Sequence, residues 1–522
     1  MSASREKNKR KEQTASPEAV KETKKGMSKG LKTTLGVICA VLVVCIVVFF
    51  YMLTSGYFTS HSTAATVGSH DLSPAMVDHF YRGAYNDMQN QYGSLMSYII
   101  DSNTPLDEQY YDEEAGTTWA DYFIEQGLNT AAETYAIYDA AIADGYTLSD
   151  EDQQTIDTQI SQIALYASAS GFSTDTYIAY MYGTGCNEKT LREYLKVVTV
   201  ASNYASQTAN AFEYSDEQID AEYNANVDKY DGVTYRTFSV TDSMFQTAVD
   251  ETGAEEAEAD GAEDTEQLSD EELAALKEEM ASKMAADAEG DEQAFIDAAY
   301  ENAADASKET YEDESATLRE DALYSSVSDT ASADWLFDAE RKEGDTTYIA
   351  ADSGVYYVLY FISRSTNDYQ LPNVRHILIS VSDTTDETAM DEARTKAEQI
   401  LTEFDAGEHT GEAFGELAKE YTDDSNGDEG GLYTNITPGQ MVTEFNDWCF
   451  DESRKPGDTG IIETSYGVHV MYFDGYGDTY RHVMAENTLR TNDYNAWHAS
   501  IVGEETEGRY TLVPFGMKFV TK

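Results

Sequence analysis

The chain has 522 residues, with 97 Asp/Glu against 34 Lys/Arg, a formal charge of −63. That acid excess argues against nucleic-acid binding, which needs Lys/Arg patches against phosphate. With 38 Tyr, 19 Phe and only four Cys, the chain can bury three or four domain cores but carries no disulfide framework or CxxC spacing.

Charge is unevenly placed. Residues 1–32 hold ten Lys/Arg and four Asp/Glu, so residues 1–33 read as a basic tail. "LGVICAVLVVCIVVFFYML", Leu35 to Leu53, follows with 19 uncharged residues. A helix of that length crosses about 30 Å of hydrocarbon. The lysines stop at Lys32, so the positive-inside rule places the N-terminus in the cytoplasm and residues from about 55 outside. "YMLTSGYF" is a poor small-residue cleavage site, so 34–54 reads as an uncleaved single-pass anchor rather than a signal peptide. Residues 55–64 read as a polar linker.

Beyond it, capping residues mark a series of helix starts. Ser73 precedes Pro74, Ser149 precedes "DEDQQTIDTQI", Ser173 precedes "TDTYIAYM", Asn187 precedes "EKTLREYLKVV" and Ser215 precedes "DEQIDAEY". A hydroxyl or amide at the cap, and proline at the first helical position, are helix-start signals. Residues 62–231 therefore read as amphipathic helices with Tyr, Ile, Leu and Met on their apolar faces.

Near residue 232 the character changes. "VTYRTFSV" is strand-like, and the acidic run "DETGAEEAEADGAEDTEQ" after it reads as a solvated loop. Further on, Trp335–Val355 aligns without a gap to Trp448–Val468 at an offset of 113, with eleven identities in 21 positions. Among them are Trp335/Trp448, Phe337/Phe450, Asp338/Asp451, Arg341/Arg454 and Gly344/Gly457. "AFIDAAYENA" matches "AFGELAKEYT", and "TYRTFSV" matches "NVRHILI". The chain thus contains two copies of one unit, 232–368 and 370–477.

The second copy opens on "VRHILIS", a mostly buried strand with Arg375 and His376 near its start. Helices are expected at about 386–407, 412–421 and 441–451, with a loop over 423–439 and a final strand pair, "TGIIET" and "GVHVMYF". This is a small α+β unit with an antiparallel sheet.

Its blocks "VRHILI", "AFGELAKEYTDDSNGDEGGLY", "GQMVTEFNDWCF", "PGDTG" and "ETSYGVHVMYF" resemble the parvulin-type peptidyl-prolyl cis–trans isomerases over nearly all of 372–474. The whole layout is similar to the PrsA-like membrane-attached foldases and the SurA-like chaperones. That resemblance implies a helical chaperone domain split between 62–231 and 478–522, folding back on itself around the two parvulin-like domains. It implies His376 and His469 as paired central histidines and Asp424 as their acidic partner, the three forming the catalytic centre. It implies Met441 and Phe445 as the apolar floor that receives a proline ring, with Tyr433, Thr464 and Tyr466 lining the same substrate pocket. In the first copy Thr237 falls where His376 lies and Tyr356 where His469 lies, so that copy is expected to keep the fold without the active centre, as a spacer or client-binding surface.

Rotation about an X–Pro bond breaks no bond, so neither nucleophile nor cofactor is expected. No HExxH pair supports a metal site and no GxSxG elbow supports a hydrolase. The expected partners are unfolded or partly folded exported proteins and X–Pro peptides, with the membrane held by the N-terminal helix, no nucleic acid, and a homodimer as one way to complete a cradle. Two readings stand. One is a membrane-anchored extracytoplasmic foldase that isomerises X–Pro bonds. The other is a holdase chaperone whose second copy only binds.

Overall fold

The computed structural model describes residues 29–245, 268–503 and 508–521. Nearly all of the basic tail and the whole acidic run at 250–267 lie outside these residues. Two compact units form, one from residues up to 208 together with 496 onward, the other from 209–495.

In the first unit, helix α1 (Lys29–Thr54) carries the apolar stretch, and Val37–Thr54 is long and apolar enough to cross a membrane. The expected polar linker is instead structured. A short helix α2 (Tyr57–His61) follows at once, with Thr59 buried. It seats against Gly185, where a Cβ would lie 2.4 Å from the Thr59 Cβ. The Ser60 hydroxyl donates to the Gly185 carbonyl at 3.1 Å. The glycine lets this turn approach closely; no composition rule signals that from residues 55–64 alone.

Strands β1 (Ala65–Val67) and β2 (His70–Leu72) lead into α3 (Pro74–Tyr92). After a small hairpin, β3 (Tyr110–Asp112) and β4 (Thr117–Thr118), come α4 (Trp119–Ala143), α5 (Asp150–Ala169), α6 (Thr174–Tyr182) and α7 (Glu188–Asn210). Each capping signal lies at a real helix start. The Ser73 hydroxyl accepts from Met76 N–H, and Ser149 forms a reciprocal capping box with Asp152. The apolar faces meet in a core built around Phe80, Phe123 and Leu128.

The second unit holds the duplication. Helix α8 (Asp216–Ala225) precedes the first copy, which runs β5 (Gly232–Val240), α9 (Asp270–Asp287), α10 (Glu292–Asn302), β6 (Leu318–Leu323), α11 (Thr330–Phe337), β7 (Thr346–Ala350) and β8 (Tyr356–Ser365). The second runs β9 (Gln370–Ser380), α12 (Glu387–Asp405), α13 (Gly411–Tyr421), β10 (Leu432–Tyr433), α14 (Thr443–Cys449), β11 (Thr459–Thr464) and β12 (Gly467–Thr479). Their antiparallel sheets have the same order, β6-β5-β8-β7 and β10-β9-β12-β11. One face of the second sheet packs on α12 and α13 through Ile377, Ile379, Val468 and Val470. The other packs on α14 through Val374, Met471, Phe473, Phe445 and Trp448.

The register corrects one equivalence. Thr346 pairs with Tyr360 in the first copy and Thr459 with Tyr472 in the second, so the first hairpin is one residue longer. The ungapped alignment therefore slips by one at the turn. Tyr357, opposite Ser239, holds the place that His469 holds opposite Leu378. Tyr356 is not its counterpart.

Helix α15 (Tyr480–Val502) packs Ala485 against Ile219 and Tyr230 within the second unit. Past it, the apolar stretch Arg509–Val520 is strand only at its start. Only β13 (Tyr510–Leu512) pairs, with β1, because Pro514 cannot extend a ladder.

Candidate active site

Strand pairing brings the two histidines together. His376 sits opposite Met471, and His469 lies two residues before Met471 on the same sheet face. Both side chains are buried, and their Nδ1 atoms are 3.1 Å apart. The His376 Nε2 lies 2.8 Å from Asp424 Oδ2, the Tyr433 hydroxyl donates to the same oxygen at 3.1 Å, and Thr464 Oγ1 lies 2.8 Å from His469 Nε2. Tyr433, Asp424, His376, His469 and Thr464 thus form one continuous hydrogen-bonded chain.

The proton positions follow from charge. Burial works to raise the Asp424 carboxyl, but the Ser425 N–H, His376 and the Tyr433 hydroxyl outweigh it and hold it below its ordinary value. An ionised carboxylate only accepts, so His376 Nε2–H must donate to it. Burial lowers His376 despite Asp424 beside it. Burial, then His376, lowers His469 to about 4. Both rings are therefore neutral near pH 7. His376 Nδ1 accepts from His469 Nδ1–H, and His469 Nε2 accepts from the Thr464 hydroxyl. One carboxylate sets the direction of every bond.

Phe445 covers this chain. Its ring stands edge-on to both imidazoles, with centroids 5.3 Å from His376 and 5.7 Å from His469. Met441 and Tyr433 are half-buried beside it in the same apolar cluster. Thr464 is buried and is the hydrogen-bond partner of His469. Tyr466 sits at the hairpin turn with its side chain 61% exposed; its backbone N–H donates to Thr464 Oγ1. The structure thus gathers His376, Asp424, His469, Tyr433, Thr464, Met441 and Phe445, and leaves the Tyr466 side chain outside the cluster.

Two supporting roles escaped the sequence reading. Thr422 Oγ1 accepts from Leu378 N–H and Asp424 N–H, tying the Asp424 loop to β9. A Thr two residues before an Asp at a helix exit is a local side-chain-to-backbone motif and was legible in "TDDS". Arg375 donates to Asp474 and to the Gly430 carbonyl. Gly431 is required beside it: its φ is +67°, and a Cβ would stand 2.2 Å from the His376 carbonyl oxygen.

The first copy keeps the frame and loses the chemistry. Arg236 holds the place of Arg375 and donates to Glu292 and to Thr317. Thr237 stands for His376, and Ser328 and Ser332 stand at the offset of Met441 and Phe445. A cavity of about 570 Å³ remains there, lined by Thr237, Ser239, Tyr357, Ser328 and Ser332. It is hydroxyl-rich where the second copy is apolar.

Residues 357–474 match the PPIC-type PPIase domain family. The match begins in β8, the last strand of the first copy to be reached. The SurA chaperone of Nitrosospira multiformis is 34% identical over 99 residues, which cover 19% of this chain and 21% of that protein. The SurA chaperone of Hahella chejuensis is 30% identical over 126 residues, 24% of this chain and 27% of that protein. The chain therefore spans about a quarter or less of the length of these relatives. Among solved structures, PrsA from Bacillus subtilis covers 78% of this chain and 92% of its own at 12% identity and a TM-score of 0.26. The PrsA peptidylprolyl isomerase of Bacillus cereus covers 26% and 49% at 22% identity and a TM-score of 0.18. The chain carries a parvulin-type peptidyl-prolyl isomerase domain in its second copy, within a larger mixed helix-and-sheet architecture.

Proposed function

We propose that the chain is a membrane-anchored extracytoplasmic foldase whose second copy rotates X–Pro bonds in exported proteins. The observation that carries this reading is the neutral hydrogen-bonded chain Tyr433–Asp424–His376–His469–Thr464 beneath the Phe445 and Met441 floor, in a PPIC-type domain.

The barrier to be lowered is about 20 kcal/mol, and unaided rotation takes roughly 10–100 s. Only interactions stronger in the twisted amide than in either planar form help. Twisting breaks the amide resonance and leaves the imide less polar. A proline ring seated on Met441 and Phe445 is taken out of water, which disfavours the polar planar forms more than the twisted one. His376 and His469 hold Phe445 by their ring edges, and Asp424 locks their tautomers. These polar residues keep the floor rigid and shape the field at the preceding carbonyl; none acts as a nucleophile.

The anchor and the helices complete the reading. Helix α1, preceded by the basic segment, would hold the protein in the membrane with its N-terminus in the cytoplasm. The last turns of α5 and α6 expose Leu165, Tyr166, Tyr180 and Met181, Tyr180 at 77%, and Phe172 is exposed in the turn between these helices. Exposed apolar side chains on neighbouring helices suit binding of unfolded chains. This observation also favours the second reading, a holdase whose parvulin-type domain only binds.

The test is isomerisation of X–Pro tetrapeptides by the full chain in detergent, beside His376→Ala and Met441→Ala. Acceleration that falls in both folded variants supports the foldase. A folded wild-type chain without acceleration, which still suppresses aggregation of an unfolded client, moves the assignment to the holdase. Protease access to the two ends of the chain in sealed vesicles tests the orientation.

A further inference from the structure

The last residues are unlike the acidic domains that precede them. Arg509–Lys522 holds three basic residues and no acidic one, in a chain of formal charge −63. Their path is fixed at several points. β13 pairs with β1, and Val513 N–H donates to the Ala64 carbonyl at 2.8 Å. The Thr521 N–H and hydroxyl donate to the buried Asp78 carboxyl at 2.7 and 3.2 Å. Gly516 passes so close to Thr63 that a Cβ would lie 1.9 Å from its carbonyl oxygen.

This clamp places aromatic rings beside the end of α1. Phe58 stacks on Phe519 with centroids 5.2 Å apart and meets Phe515 edge-on at 5.6 Å. On another side Phe58 meets Phe49 of α1 at 5.9 Å. Phe49 lies five residues before the end of that helix, about 7–8 Å along its axis at 1.5 Å per residue. The cluster therefore sits at the depth where α1 leaves the apolar layer. Phe515 is 49% exposed and Tyr57 43% exposed, and Lys518 is exposed between the clamped points.

We infer that the C-terminal tail is a second membrane contact, in which Tyr57, Phe515 and Lys518 form a platform for anionic phospholipid headgroups. The inference rests on reading α1 as a membrane span. The amphipathic Tyr57 ring favours the headgroup layer, the exposed Phe515 ring the acyl boundary just beneath it, and lysine favours lipid phosphate. The acidic domains are repelled by such a surface, whereas the tail, like the α1–α2 segment beside it, carries no acidic residue to oppose the approach. Two contacts on one compact unit would fix its tilt, where a single helix would leave it free to swing.

The test uses the full chain in vesicles of phosphatidylcholine and phosphatidylglycerol whose acyl chains are brominated, a quencher of nearby indoles. Reporters are Phe515→Trp, Tyr57→Trp and, within α1, Phe50→Trp; the unmodified chain with its four tryptophans sets the baseline. Pro514→Trp replaces Phe515→Trp should that variant not fold. The expected result is quenching of all three added signals, strongest for Phe50→Trp, and at least twofold weaker quenching at the tail when phosphatidylglycerol is left out or Lys518→Glu is introduced. Quenching of Phe50→Trp with an unquenched tail reporter overturns the inference and leaves the span intact. Tail quenching indifferent to lipid charge overturns the anionic-headgroup assignment. Loss of quenching at all three positions overturns the span itself.

Discussion

The two copies share a sheet order, an Arg on the first strand and a last hairpin that differs in length by one residue, yet only the second holds a pair of histidines under an apolar floor. The residues kept in both copies are those that build the frame. Arg236 and Arg375 each tie a strand to a distant loop or helix. Trp335 and Trp448 each stack with an arginine, Arg341 and Arg454. Among the residues that differ, His376 and His469 share one sheet face, and Met441 and Phe445 at the start of α14 give way to Ser328 and Ser332. Frame and site are therefore separable in this fold. The chemistry is a replaceable inlay.

The largest effect should come from giving the second copy the first copy's floor. Met441→Ser with Phe445→Ser is expected to lower kcat/KM on X–Pro tetrapeptides at least ~100-fold, about 2.7 kcal/mol of transition-state stabilisation. Retained activity within threefold, with the fold checked by circular dichroism, would remove the floor from the proposed mechanism. Next is Asp424→Asn. An amide no longer forces His376 Nε2 to donate, so the ring tautomers scramble, and a ~10-fold loss is expected with little change in melting temperature. Unchanged activity would make the carboxylate merely architectural.

A pH series separates the copies without mutation. Residues 232–368 contain no histidine. In the second copy His469 falls to about 4 and His376 is also lowered, both chiefly by burial. Unfolding frees each ring to bind a proton at its ordinary value near 6.5. The unfolded state thus binds more protons between about 6.5 and 4, and stability rises with pH across that window. The contribution is whole above 6.5 and is lost as pH falls toward 4. Ring-proton titration by NMR should place His469 well below 6.5; an ordinary midpoint would refute the buried neutral pair.

Smaller effects sharpen the same contrast. Thr464→Val keeps the shape and removes the last hydrogen bond to His469, at a cost of about 1 kcal/mol in denaturant unfolding and a two- to threefold loss of activity. A cost near zero would mean that Thr464 contributes only volume. Smallest of all, Thr237→His with Tyr357→His should add no activity to the first copy, because Ser328 and Ser332 still line the cavity. Activity gained there, measured in a chain with His376→Ala, would show that histidines alone suffice.

Much of this was legible in the sequence, for physical reasons. Ser and Asn caps announced the helices because a cap is a local bond between neighbours in the chain. The repeat was visible because its framework residues recur at one offset. The hydrogen-bonded order of the site was less so. Thr464 read as a pocket wall, yet it pairs with His469 across a hairpin turn, and Tyr466 turns outward. The one-residue slip that makes Tyr357 the counterpart of His469 appears only in the strand register, since a longer turn leaves the flanking residues unchanged. The seat of α2 was hidden because Gly185 lies far along the chain from Thr59.

The fixed proton direction at the site carries a last consequence. Every donor from Thr464 to His376 already points one way, toward a carboxylate that has none to return. Such a chain has no spare proton to lend an acyl leaving group and presents no activated oxygen or sulfur to a carbonyl. A polypeptide could stay bound there through many slow rotations and depart with its covalent structure untouched. For a domain of the PPIC type, this inertness toward cleavage is as useful as speed.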